Sequence, residues 1–178
     1  VGELSSRKNQ KIIIEALGML DRKEQYIFVI CGTAVVNSTI EEELKETASK
    51  LGVRILLAGH RLDVPEINVC ADVAVIPSVR EGFGMTGVEA LASGVPVVGS
   101  DVQGIREYVI PGKTGYLCDP YDAHQFANAI ENAINACKLV QTAKTSINNS
   151  YSSISDTASD YNSGCTSDYG EVNSNRII

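Results

Sequence analysis

The sequence predicts a doubly wound, Rossmann-like α/β domain, a parallel sheet covered by helices on both sides. Three observations carry this. From residue 1 to residue 137, short β-rich runs alternate with amphipathic runs, the order that βαβ units produce. The run at Tyr26–Cys31 is continuously apolar, as a strand buried on both faces is. Hydrophobic residues make up 44% of the chain and aromatics only 6%, so the core is built from Val, Ile, Leu and Ala, and about 135 residues suffice to bury it.

Val1–Leu4 reads as the end of a first strand, and with Val rather than Met at its head the chain is taken as part of something longer. Ile13, Ala16, Leu17 and Leu20 have helical spacing and predict a helix over Lys8–Leu20. Tyr26–Cys31 is the next strand, ended by Gly32. Ile40, Leu44, Ala48 and Leu51 mark a second helix, whose other face places Glu41 by Lys45 and Glu46 by Lys50. Val53–Ala58 is a strand, Val64–Ala71 a short helix, Asp72–Ile76 a strand, Gly84–Ser93 a helix, and Pro96–Ser100 and Gly115–Cys118 strands. Asp122 with Gln125 is a capping-box pattern that opens a last helix burying Phe126, Ile130 and Ile134. Residues 138–178 change character: 18 of the 34 residues from 142 to 175 are Ser, Thr or Asn. Such a segment buries too little surface to offset its ordering entropy, so it is expected to be a disordered tail.

The net charge of −7 excludes a general nucleic-acid binder, which carries a basic stripe. No apolar run reaches the roughly 18 residues of a membrane helix. Five cysteines without a C-x-x-C pair argue against a metal cluster or a disulfide framework and fit a reducing cytosol. Cys31, Cys70 and Cys118 read as small buried apolar residues, His60 as a turn-capping residue, and Arg106 with Glu107 as a surface helix pair.

The chemistry concentrates between Pro77 and Ser93, where a strand ends and a helix begins. Ligands of open α/β sheets sit at such carboxyl ends, and a helix N-terminus offers N–H groups and partial positive charge to a phosphate. Gly82 and Gly84 allow close approach to the backbone. Glu81 lies before the helix and Glu89 within it, seven residues between. Carboxylates accept hydrogen bonds from vicinal hydroxyls, so the pair points to a sugar on each side of a phosphate. Either Glu alone would read as a solvated surface carboxylate.

The run R-E-G-F-G-M-T-G-V-E-A-L-A-S-G-V-P-V-V, with Glu81-x7-Glu89 inside it, resembles the signature of family 4 retaining glycosyltransferases of the GT-B fold. Val1–Gln10 resembles the opening of that family's C-terminal domain, Ala58–Ile67 its base-side loop, and Gly112–Leu117 its late turn, all in the family's order. The wording is similar to the exopolysaccharide and capsule-synthesis branch. The resemblance implies that residues 1–137 are the donor-binding half of a GT-B enzyme that takes a nucleotide-sugar donor, UDP-sugar favoured. By matching position it implies that Glu81 binds the sugar hydroxyls with backbone N–H groups around Gly82, Phe83 and Gly84. It also implies that Met85 and Thr86 would offer backbone donors to the diphosphate, that Glu89 would hold the ribose, and that Arg61 and Leu62 would bracket the base. The resemblance likewise implies that Lys8 would neutralise the leaving diphosphate, so that Lys8 and Glu81 would carry the catalytic roles. No cofactor or metal is implied, and the chain contains no Asp-x-Asp. The resemblance further implies that the acceptor, a sugar or a lipid-linked glycan, is bound by an N-terminal acceptor-binding domain expected to be missing from this chain. The implied setting is cytoplasmic, at the membrane face. Glu3 stands where many relatives carry a phosphate-binding Arg, with Arg7 the nearby cation, and Ala34 stands where they often have a second glycine. Two other readings share the loop. Gly82–Gly87 also matches G-x-G-x-x-G with Asp101 ending the next strand, the pattern of an NAD-type oxidoreductase domain. A non-catalytic nucleotide-sugar-binding module is the other.

Overall fold

In the computed structural model, which describes residues 1–136 and 176–178, β1 occupies Tyr26–Cys31 as predicted. Its edges are taken by β2 (Arg54–Gly59) and by β6 (Arg176–Ile177), both parallel to it. A second parallel set runs β3 (Ala74–Ile76), β4 (Val97–Ser100), β5 (Gly115–Cys118). The sequence predicts one sheet; among the described residues the strands form two three-stranded parallel sets that meet at Asp72. Its N–H donates to Ile177 O at 2.9 Å, its carboxylate accepts the Ile177 N–H at 2.9 Å, and Arg176 pairs with it at 2.7 Å.

Arg176–Ile178 therefore returns to the sheet, whereas the rest of the expected tail lies outside the described residues. Ile178 donates to Ile27 O and accepts from Val29 N–H, each at 2.9 Å. Further along the strand, Gly2 N–H reaches Cys31 O at 2.8 Å and Leu4 N–H reaches Thr33 O at 3.0 Å. The expected strand end at Val1–Leu4 is thus a line of backbone contacts continuing β1, with a parallel bridge from Leu4 to Ala34.

Among the described residues six α-helices surround the strands: α1 (Gln10–Gly18), α2 (Ile40–Leu51), α3 (Val64–Cys70), α4 (Met85–Ala92), the short α5 (Gln103–Arg106), and α6 over residues 123–136. Neighbouring strand residues show why both faces are covered. Val97 and Val98 are each fully buried, but in different clusters, because side chains alternate across a strand. Val98 joins Ile13, Leu17, Leu44, Phe126 and Ile130, drawn from α1, α2 and α6. Val97 joins Ile76, Ala90, Ile105 and Val109, where α4 and α5 pack.

Helix α1 begins two residues later than its periodicity predicts. Asn9 adopts a left-handed φ of 53° and donates its side-chain amide to Pro120 O at 2.8 Å. Lys8 consequently sits in a turn ahead of the helix, its N–H bonded to Ser5 O. The predicted cap of α6 forms: Asp122 Oδ1 accepts the N–H groups of His124 and Gln125 at 2.9 and 3.1 Å. The Glu46–Lys50 pair forms at 2.7 Å. Two smaller expectations are corrected. Arg106 bonds to the Asp101 carboxylate, five residues back, instead of Glu107, and Cys70 is exposed because it ends α3 on the solvent side. No helix of the described residues is long and apolar enough to cross a membrane.

Candidate donor site at the β3–α4 loop

β3 ends at Ile76, and Pro77 to Gly84 carries the chain to α4. Gly84 is the N-cap, with φ 76°, a left-handed conformation that side-chain-bearing residues seldom adopt. No side chain caps this helix and its first turn holds no acidic residue. The first N–H groups of a helix have no intrahelical acceptor, so those of Met85 and Thr86 mark the helix's positive end. Phe83 and Met85 are exposed and Thr86 half-buried. Beneath the loop lies α5: a Cβ on Gly104 would collide with the carbonyl of Gly82, so only glycine lets the two backbones touch.

The turn that carries Lys8 is fastened to this loop. Val79 N–H donates to Arg7 O at 2.9 Å. Lys8 Nζ then reaches Glu81 Oε2 at 2.6 Å, and Ser78 Oγ donates to the same oxygen at 3.1 Å. The Lys8 and Glu81 side chains are only 19% and 12% exposed, so water screens the pair weakly. Burial by itself raises the Glu81 pKa, but the Lys8 hydrogen bond and charge, with the Ser78 hydroxyl and the Gly82 N–H, together outweigh it and hold the carboxyl below its ordinary value. Ser78, 1% exposed, has no role in the sequence reading. Its signal is a hydroxyl three residues before a carboxylate at a strand end.

A group with a lowered folded pKa contributes stability that is complete above its unfolded value and is lost as pH falls through the folded one. Glu81 therefore adds to acid sensitivity below about pH 4.3, the ordinary Glu value. We expect Glu81→Gln to flatten the acid side of a melting-temperature–pH curve and to leave its shape above pH 6 unchanged. Parallel curves for wild type and mutant would mean the Lys8–Glu81 pair adds nothing to folding.

Of the expected residues, Lys8, Thr86 and Arg61 line one or other of two adjoining cavities, and Glu81, Leu62 and Glu89 line neither. Lys8, Ser78 and Thr86 line one with Gly2 and Ile178; Arg61 and His60 line the other with Gly32 and Ala34, and Val1 and Gly2 border both. Arg61 is held by Asp63, Nε to Oδ1 at 2.8 Å, and Leu62 is 90% exposed. Glu89 is exposed on α4 and borders neither cavity. The structure thus joins Lys8 and Glu81 directly at the glycine loop, places Arg61 on the second cavity, and puts Glu89 within electrostatic reach of the Val1 amine that Lys8 also reaches. Arg7 faces Glu3 at 4.0 Å and donates to Arg80 O at 3.4 Å, so its guanidinium is engaged locally. Among the described residues no group of three or more His, Cys, Asp or Glu is placed to hold a metal ion.

Parallel strands wound on both sides, with a glycine-capped helix at the carboxyl end of β3, are the architecture of GT-B glycosyltransferases. Residues 1–151 match the family described as Glycosyl transferases group 1, and the chain belongs to it. It is 35% identical over 140 residues to EpsD of Bacillus subtilis, covering 77% of this chain and 36% of that protein. It is 31% identical over 134 residues to the lipopolysaccharide core biosynthesis mannosyltransferase LpsB of Rhizobium meliloti, covering 72% and 38%. Among solved structures it is similar to Anabaena Alr3699/HepE in complex with UDP-glucose, with a TM-score of 0.69 and 31% identity over 77% of this chain and 39% of that one. The chain spans little more than a third of the length of these relatives.

Proposed function

We propose that this chain is the donor-binding half of a retaining glycosyltransferase that moves a sugar from a nucleotide diphosphate, UDP-sugar favoured, to an acceptor hydroxyl in polysaccharide or glycolipid synthesis. The observation that carries it is the Lys8–Glu81 pair, 2.6 Å apart, at the mouth of a glycine loop that opens a helix. It supplies a fixed cation, a carboxylate and backbone N–H groups within one small region. Support also comes from the similarity to a structure holding UDP-glucose. As the bond from the anomeric carbon to the diphosphate breaks, negative charge builds on the leaving oxygen. Lys8 and the N–H groups of Met85 and Thr86 lower the energy of that charge because they are in place beforehand. Glu81 accepts hydrogen bonds from the sugar hydroxyls and Glu89 from the ribose; Arg61 and Leu62 flank the base. The partner domain brings the acceptor.

Calorimetric titration with UDP-glucose and with NAD+ tests this. Saturable binding of UDP-glucose alone is expected; binding of NAD+ alone would return the loop to the dinucleotide reading. Glu89→Ala is expected to weaken UDP binding by about 1–3 kcal/mol, the cost of a lost charge-assisted acceptor. Equal affinities in the same titration would remove Glu89 from the site.

A further inference from the structure

The glycine loop is held from one side by a residue that none of the assigned roles includes. Tyr108, which follows α5, donates its hydroxyl to Gly84 O at 3.0 Å. The same carbonyl accepts the Gly87 N–H at 2.8 Å. The Tyr108 ring meets Phe83 edge-on, centroids 5.7 Å apart and planes at 65°. There is no slack under the hydroxyl: a Cβ on Gly84 would lie 2.7 Å from it, and one on Gly87 would lie 2.7 Å from the ring. Tyr108 is itself anchored, because its carbonyl accepts from Thr114 Oγ1 at 3.0 Å, and that oxygen accepts the Ile110 N–H at 2.7 Å. Burial, with the Glu81 charge second, pushes the phenol up to about 12, so it remains a donor throughout the neutral range.

A glycine visits left- and right-handed conformations with similar ease, so φ 76° at Gly84 needs an external hold. The peptide unit is planar, and the carbonyl of Gly84 and the N–H of Met85 point in opposite directions within one plane. Whatever fixes that carbonyl fixes the direction of that N–H.

We propose that Tyr108 is a positioning residue: by holding the Gly84 carbonyl it aims the Met85 N–H, and the helix start behind it, at the donor's diphosphate. This rests on the nucleotide-diphosphate reading above, and two measurements separate their failures.

The first needs no nucleotide. In Tyr108→Phe, which keeps the ring against Phe83, hydrogen exchange at the Gly87 amide is expected to speed up by about threefold or more, the size of one lost hydrogen bond, with exchange in β1 unchanged. Unchanged exchange at Gly87 would overturn the claim that Tyr108 holds the loop. The second titrates wild type and Tyr108→Phe with UDP and with uridine, which has no phosphate. UDP affinity is expected to fall about three- to tenfold, and uridine affinity to stay within twofold. Equal losses for UDP and uridine, or none for either, would overturn the positioning role. If wild type binds uridine and UDP equally, the diphosphate reading fails, and the exchange result alone then decides whether Tyr108 holds the loop.

Discussion

Given a radiolabelled UDP-sugar and a sugar acceptor, the 178-residue chain is expected to transfer nothing alone, and to transfer sugar once joined to an N-terminal half supplied by a full-length relative. Retaining transfer needs the anomeric carbon held against an acceptor oxygen. Orientation of that kind supplies about 10⁵-fold or more of a rate. In the proposed reading Lys8, Glu81 and the helix start at Met85 would form one side of such a cleft. The matched region covers only 36% and 38% of the relatives' own lengths, which fits a second domain providing the other wall. Closure of the two would also exclude water from the reacting bond. Turnover by this chain alone toward any sugar acceptor would overturn the two-domain account. Binding of donor with no transfer, even beside the added half, would favour the non-catalytic module.

Replacing Glu81 by Ala is expected to cut affinity for an intact UDP-sugar by about ten- to a hundredfold, the loss of hydrogen bonds to a charged group, yet to leave UDP affinity nearly unchanged. The geometry sharpens this expectation. Without Glu81, Lys8 loses its 2.6 Å partner at a site where its side chain is 19% exposed. A cation in that position gains by turning to the next available anion, so UDP affinity should hold or rise. Calorimetry with UDP and UDP-glucose, wild type against mutant, measures both. An equal fall for the two ligands would mean that Glu81 acts on the phosphates through Lys8 and has no part in sugar recognition.

Much of this was legible from local pattern. Tyr26–Cys31 is an uninterrupted apolar run closed by glycine, and β1 has those bounds. The glycine loop and Glu81 were visible as residue types at a strand–helix junction, and Lys8 entered through the family resemblance. What pattern does not carry is the contact between Lys8 and Glu81. They lie 73 residues apart and are joined only because the turn before α1 and the end of β3 reach the same region of the fold. The late start of α1 was hidden for a related reason. Asn9 leaves the helical region to reach Pro120, a partner 111 residues away. Helix α5 has four residues, too few for any periodicity to show. The return of Arg176–Ile178 was concealed by the polar run before it, although two adjacent isoleucines are a signal for burial, and Ile178 is 5% exposed. Tyr108 gave no signal at all, since its role depends on which carbonyl lies above it.

The most direct test is a crystal structure of this chain grown with UDP-glucose. The predicted complex has the diphosphate against the backbone N–H groups of Met85 and Thr86 with Lys8 Nζ beside it. Glucose hydroxyls lie within hydrogen-bond distance of Glu81, and the uracil lies by Arg61. A nucleotide seated anywhere other than the β3–α4 loop, or one whose diphosphate makes no contact with the start of α4, would contradict the assignment of this loop as the donor site.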